Sequence, residues 1–126
     1  ICSGGIVGQG EGDEDVIDML LALRQIGPQA VPINFLVPIA GTPLAGHETG
    51  LDPRKCLKVL CLARLLLPAA EIRASAGREH HIRSLQPLAL FAADSIFVSG
   101  YLTTGGQSAD AAKGMIDDLG FEMVAE

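Results

Sequence analysis

Short strand-like runs alternating with helix-patterned segments constrain this chain more than any other feature. Residues 31–38 are rich in β-formers and bounded by Pro32 and Pro38; 70–75 reads as a short strand, and 94–99 as another centred on SIFV. A fourth strand is expected to end just ahead of Gly4, where Gly4-Gly5-Ile6-Val7-Gly8-Gln9-Gly10-Glu11 hands over to a helix. Strands separated by helices with short connections imply βαβ units and a parallel sheet. Four such units are about half of a (β/α)₈ barrel, whose usual length is ~250 residues. The fold class is therefore α/β, with half of a TIM-type barrel favoured: a parallel, curved sheet with outer helices. A flavodoxin-like open sheet is the competing architecture.

The helices are signed at both ends. One starts near Asp13, with acidic residues in its first turn where the helix dipole favours them. Val16, Met19, Leu20, Leu23 and Ile26 recur at helical spacing, and Gly27-Pro28 ends the segment. A loop covers 41–53. Asp52 suits the N-cap of the next helix and Pro53 its first position, with an end near Leu67-Pro68. Within a helical stretch in roughly 79–93, Pro87 either breaks the helix or opens its second part. Ser108 caps a last helix whose Met115, Ile116 and Leu119 are expected to face inward before Gly120.

Composition narrows the function classes. Of the 126 residues, 48% are apolar and 19% charged, a globular and not a disordered balance. A net charge of −6, with 4% aromatic residues and no Trp, argues against nucleic acid and anionic membrane surfaces as partners. No apolar run reaches the roughly 18–20 residues needed to cross a bilayer. Three cysteines, an odd count, point to a reducing, cytoplasmic setting instead of a disulfide framework. The chain opens Ile-Cys-Ser-Gly without Met and without a leader-like segment, so it is expected to be a fragment.

Strand alternation picks out the chemistry-bearing side chains. Glu71, Arg73 and Ser75 share one side of their strand, with Ile72 and Ala74 on the other. Asn34 and Leu36 share one side of theirs, opposite Ile33, Phe35 and Val37. The apolar sides should pack under helices, leaving Arg73 and Asn34 in an interior where polar groups need partners or a ligand. An ion-pair network of Arg73 with Glu71 or an Asp, without any ligand, is the alternative. Cys2 is expected at the C-terminal, active-site end of its strand. Cys56 and Cys61 lie within an apolar helix and read as core. His80-His81 reads as a solvated helix start, because adjacent residues diverge on a helix and no third metal ligand sits near. The loops at 40–44 and 102–107 follow strands and carry Thr hydroxyls that suit a polar ligand.

Several blocks, in order, carry a resemblance: the G-x-I-x-G-x-x-E segment behind Cys2, VPINFLVPIAGTPL (31–44), LARLLLP (62–68), IRASAGRE (72–79), ADSIFVSGYLTTGGQ (93–107) and MIDDLGF (115–121). Together they resemble the C-terminal half of the biotin synthase family of radical S-adenosylmethionine (SAM) enzymes. The resemblance implies a radical SAM barrel, of which 1–126 is the C-terminal part including the biotin- and thiamin-synthesis-associated region. It implies sulfur insertion into dethiobiotin by SAM-derived radical chemistry, a SAM-bound [4Fe-4S] cluster and a second [2Fe-2S] cluster, and a homodimer at full length.

It also implies roles residue by residue. Cys2 and Arg73 would be ligands of the [2Fe-2S] cluster. Asn34 would lie beside dethiobiotin and the SAM ribose, the backbone near Val37 beside the adenine, and Ile6 would make an apolar contact to SAM. Arg78 would belong only to the turn after its strand. The C-x-x-x-C-x-x-C signature that binds the [4Fe-4S] cluster is absent here, so the chain alone is expected to be inactive. A related radical SAM enzyme of the thiazole-synthesis or hydrogenase-maturation type, or a non-catalytic cofactor-binding module, are the alternatives.

Overall fold

A computed structural model describes residues 1–98 and 106–124. Four strands, β1 (Gly5–Val7), β2 (Ala30–Phe35), β3 (Glu71–Ala74) and β4 (Ser95–Ile96), form one sheet in the order β1-β2-β3-β4, every pair parallel. Helices α1 (Asp13–Ile26) and α2 (Pro53–Leu66) connect the first three strands. Short helices α3 (Arg78–Ile82) and α4 (Gln86–Ala89), joined by a 3₁₀ turn at Arg83–Leu85, lead to β4, and α5 (Ala109–Asp118) follows. Sequential order without reversal departs from the flavodoxin-like arrangement, in which the first strand lies inside the sheet.

One face of the sheet makes the core. Val7, Val31, Ile33, Phe35, Ile72 and Ala74 are buried against Val16, Leu20 and Leu23 of α1 and Cys56, Leu60 and Ala63 of α2. Each large apolar side chain so buried contributes roughly 1.5–3 kcal/mol. The opposite face carries Ile6, Asn34, Glu71, Arg73 and Ser95, all half-buried or exposed. Alternation thus separates the helix-covered side from the polar side as the sequence indicates.

The helix signals hold. The Asp52 carboxylate accepts the Lys55 N–H at 2.8 Å with Pro53 at the first position, Gly27 closes α1 in the left-handed region, and Ser108 Oγ accepts the Ala111 N–H at 3.2 Å. Four readings are corrected. The first strand does not end before Gly4; it spans Gly5–Val7, and Cys2 pairs ahead of it in an isolated bridge with Ala30. Cys2 therefore lies at the N-terminal end of the strands. The reason is that Gly4 serves close approach, not a turn: a Cβ there would meet the Pro32 carbonyl oxygen at 1.9 Å.

Cys61 is exposed, on the solvent side of α2, while Cys56 alone of the pair is core. His81 is buried, not solvated, because α3 is tucked against the strand ends. On α5 the buried residue is Ala112, with Met115, Ile116 and Leu119 only half-buried. Of the Thr-Gly stretch at 102–107, only Gly106 and Gln107 fall within the described residues.

Candidate functional site

The polar sheet face is built in rows set by the parallel register. Cys2, Ala30 and Glu71 stand side by side; two residues on, Pro32, Arg73 and Ser95 do; two further on, Ile6 and Asn34. Cys2 is a free, exposed thiol. Glu71 and Arg73, two apart on one strand, face the same way. The Arg73 Nε and one terminal nitrogen donate to the two Glu71 carboxylate oxygens at 3.0 and 2.9 Å, and Ser95 Oγ donates to the same carboxylate at 2.9 Å. Hydrogen bonds from Arg73 first and Ser95 second hold the Glu71 carboxyl below its ordinary pKa. The ion-pair alternative read from the sequence is thus present, and it leans the Arg73 head toward the Cys2 row. Two strand spacings, about 9.6 Å, separate the outer members of that row.

Asn34 ties strands together. Its Oδ1 accepts the Ala76 N–H at 3.2 Å, and its amide donates a long 3.4 Å bond to the Gly5 carbonyl. Ile6 beside it is 49% exposed, a large apolar side chain on a polar face, and lines a cavity of about 310 Å³ with Gln9, Glu11 and Met19. The motif downstream of Ile6 is a self-contained turn: the Glu11 carboxylate accepts the N–H groups of Gly8 at 2.6 Å and Gln9 at 2.7 Å. Burial raises the Glu11 pKa, but backbone donors from Gly8, Glu11 and Gln9 outweigh it and hold the value below the ordinary one. Val37 follows β2 and is half-buried.

A further pair of residues closes the C-terminal ends of the strands. His81 Nε2 lies 2.7 Å from the Leu36 carbonyl oxygen. A carbonyl only accepts, so this nitrogen carries the proton. Burial pushes the His81 pKa down, against the Leu36 hydrogen bond, and keeps the ring neutral at physiological pH. Arg78, 1% exposed, reaches Gln86, Gln107 at 3.1 Å, the Phe97 carbonyl at 2.9 Å and Glu79 at 3.3 Å.

Comparison with known proteins now bears on this face. Residues 32–122 match the model of the Biotin and Thiamin Synthesis associated domain, BATS. The chain belongs to the BATS domain family. It is 56% identical over 120 residues to a biotin synthase of Renibacterium salmoninarum, which covers 95% of the chain and 35% of that protein. It is 55% identical over 122 residues to one of Staphylococcus epidermidis, covering 97% and 39%. It is 48% identical to one of Acaryochloris marina over all 126 residues, 36% of that protein. The chain thus spans little more than a third of the length of these curated relatives.

The BATS match includes Asn34, Val37 and Arg73; Cys2 and Ile6 precede it, inside the stretch shared with the Acaryochloris marina protein. The four residues Cys2, Ile6, Asn34 and Arg73 share the polar face, while Val37 sits just past it at the end of β2. Among the described residues no cluster of three or more His, Cys, Asp or Glu could hold a metal ion, and no helix is long and apolar enough to cross a membrane. Arg78 and His81 are what sequence reasoning missed in this BATS domain. Their spacing was the available signal: three apart on a helix, they point the same way.

Proposed function

We propose that this chain is the C-terminal part of a biotin synthase, half of a (β/α)₈ radical SAM barrel, whose polar sheet face forms one wall of the active site. The intact enzyme inserts sulfur into dethiobiotin and works in the cytoplasm as a homodimer. One observation carries the reading. In a chain 48–56% identical to biotin synthases, a free thiol, an arginine, an asparagine and an exposed isoleucine line up on the face of a parallel sheet opposite α1 and α2.

The donor set fits part of a cluster site. Cys2 is a free thiol, and thiolate is the preferred iron ligand. A guanidinium ordinarily offers only donors, so Arg73 must shed a proton to ligate iron, and its assignment rests on the family resemblance. Further ligands for the [2Fe-2S] cluster, and all those for the [4Fe-4S] cluster, come from outside this chain. When bound, the clusters and SAM supply radical generation and the inserted sulfur.

The chain's own residues do the rest by position. Glu71 and Ser95 hold the Arg73 head in one orientation. Asn34, fixed from both sides, presents a remaining amide hydrogen to dethiobiotin and the SAM ribose. Ile6 covers an apolar surface of SAM and excludes water, and the backbone near Val37 meets the adenine.

The test is anaerobic reconstitution of the full-length protein with iron and sulfide, followed by cluster analysis and biotin formation from dethiobiotin and SAM. Cys2→Ala should lose the [2Fe-2S] complement; Arg73→Lys, lacking the planar multi-donor head, should alter its spectrum. Cys56→Ala should leave both unchanged. Full cluster content in Cys2→Ala together with loss in Cys56→Ala would overturn the ligand assignment.

A further inference from the structure

Helix α3 packs against α2 and buries Ile82 in the core, and its polar side chains converge on strand ends as well. His81 donates to the Leu36 carbonyl, one residue before Val37. Arg78 donates to the Phe97 carbonyl, one residue past β4. Glu79 accepts the Gln107 N–H at 3.1 Å, and Arg78 also donates to the Gln107 side chain at 3.1 Å. A five-residue helix thereby fixes the backbone at the C-terminal ends of β2 and β4 and the start of the segment leading to α5.

Arg78 is a poor choice if packing were the only demand. The residue is 1% exposed, and among the described residues its Nε has no hydrogen-bond partner while the terminal nitrogens are engaged. Burying a charge with an orphan donor opposes folding, and an apolar residue of similar size would pack more favourably. What an apolar residue could not do is hold Phe97, Gln86 and Gln107 in one geometry. His81 likewise spends a buried polar ring on a single carbonyl.

We propose that α3 is a positioning element for the SAM-binding end of the site: His81 and Arg78 fix the Leu36 and Phe97 carbonyls, and with them the backbone flanking SAM, without touching it. The inference rests on the functional reading above and extends it to residues outside the polar sheet face. Ligand-facing backbone must be held by a supporting layer, because small displacements from the productive geometry are expensive.

The experiment is equilibrium dialysis of SAM against the reconstituted full-length protein, with [2Fe-2S] absorbance and thermal unfolding followed alongside. His81→Leu removes the donor and should weaken SAM binding at least about tenfold. His81→Gln, whose amide nitrogen stands where Nε2 does, should restore most of it. Arg78→Lys cannot reproduce the fork of contacts and should also weaken SAM binding about tenfold. Both sets should leave the [2Fe-2S] spectrum as in the parent, because Glu71 and Ser95, not α3, hold the Arg73 head, and Cys2 lies at the N-terminal end of the strands. Cys56→Ala is the stability control, expected to lower the melting temperature without changing SAM affinity.

If His81→Leu fails to fold, Arg78→Lys and the recovery in His81→Gln decide the matter. SAM affinity unchanged within twofold in folded His81→Leu or Arg78→Lys would overturn the inference, as would an equal loss in Cys56→Ala. A parent protein that carries its clusters but binds no SAM would overturn the functional reading itself, an outcome distinct from either of these.

Discussion

Gly77→Ala tests how tightly the turn between β3 and α3 is locked, and its magnitude can be worked from the geometry. Gly77 has φ +82°, and a Cβ built there would lie 1.9 Å from the Phe35 carbonyl oxygen. The left-handed conformation alone penalises alanine by about 1–2 kcal/mol. The overlap is a separate matter. Reaching even 3.0 Å requires the turn and β2 to separate by 1.1 Å. The Phe35 N–H donates to the Ala76 carbonyl at 2.8 Å and the Ser75 N–H to the Ile33 carbonyl at 2.9 Å. Stretched by that amount, both pairs would stand near 3.9–4.0 Å, outside hydrogen-bond range. Two lost buried backbone bonds add roughly 1–3 kcal/mol each. The expected destabilisation is about 4 kcal/mol. Gly27→Ala is the matched control, at φ +67° with nothing within 4 Å of a new Cβ, so only the conformational penalty of about 1 kcal/mol applies. Urea unfolding of the full-length protein measures both, and hydrogen exchange at the Phe35 and Ser75 amides localises the loss. If Gly77→Ala cost no more than Gly27→Ala, or left those amides fully protected, the close approach would not be what the turn depends on.

Other outcomes follow from the same contacts. Burial pushes the Cys56 thiol up to about 12, so native protein at pH 8 should be alkylated at exposed Cys2 and Cys61 while Cys56 reacts only after unfolding, as peptide mass spectrometry would show. Glu11 has a folded pKa below its unfolded one, so its contribution is complete above the unfolded value and lost as pH falls through the folded one. The unfolding free energies of parent and Glu11→Gln, about 1 kcal/mol apart at neutral pH in urea titrations, should converge as pH falls through the lowered folded pKa; a constant difference would rule out the charged carboxylate as the cause. Arg64 donates to the carbonyls of Ala92, Pro68 and Ala70 at 3.1, 3.3 and 2.9 Å and pairs with Asp94. Arg64→Met keeps the stem but leaves those acceptors unpaired and should destabilise by about 2 kcal/mol in thermal unfolding.

Features with a local cause were legible in the sequence. Asp52-Pro53 and Gly27-Pro28 mark helix ends because capping is settled by the residues themselves, and strand alternation assigned Glu71 and Arg73 to the polar face. What escaped depends on a partner distant in the chain. Gly4 reads equally as a turn or as a point of close approach until Pro32 is placed beside it. Cys61 shares its helix with Cys56, and only the packing of α2 against the sheet decides which of them is covered. His81 looks like any polar residue opening a helix, and its partner, the Leu36 carbonyl, lies just past β2, 45 residues earlier in the chain.

The misplaced cysteine changes how the polar face is understood. Had β1 ended before Gly4, Cys2 would stand with the C-terminal strand ends, level with the Leu36 carbonyl and well beyond Arg73. Its bridge to Ala30 instead sets it in the row of Glu71, the residue on which Arg73 leans. Arg73 itself stands one row farther along, level with Pro32, so the two proposed cluster ligands occupy adjacent rows and the Arg73 head leans back toward the Cys2 row. Asn34 lies four residues farther along β2 than Ala30, about 13 Å at 3.3 Å per residue. Under the proposed roles Cys2 and Asn34 stand at opposite ends of the polar face, with Arg73 in the row between them. If the proposed roles hold, replacing Cys2 should affect the cluster and replacing Asn34 should affect SAM, because two rows separate them. A parallel sheet can divide the work this way because its rows are fixed by backbone pairing, which a change of side chain at one depth leaves intact at the other.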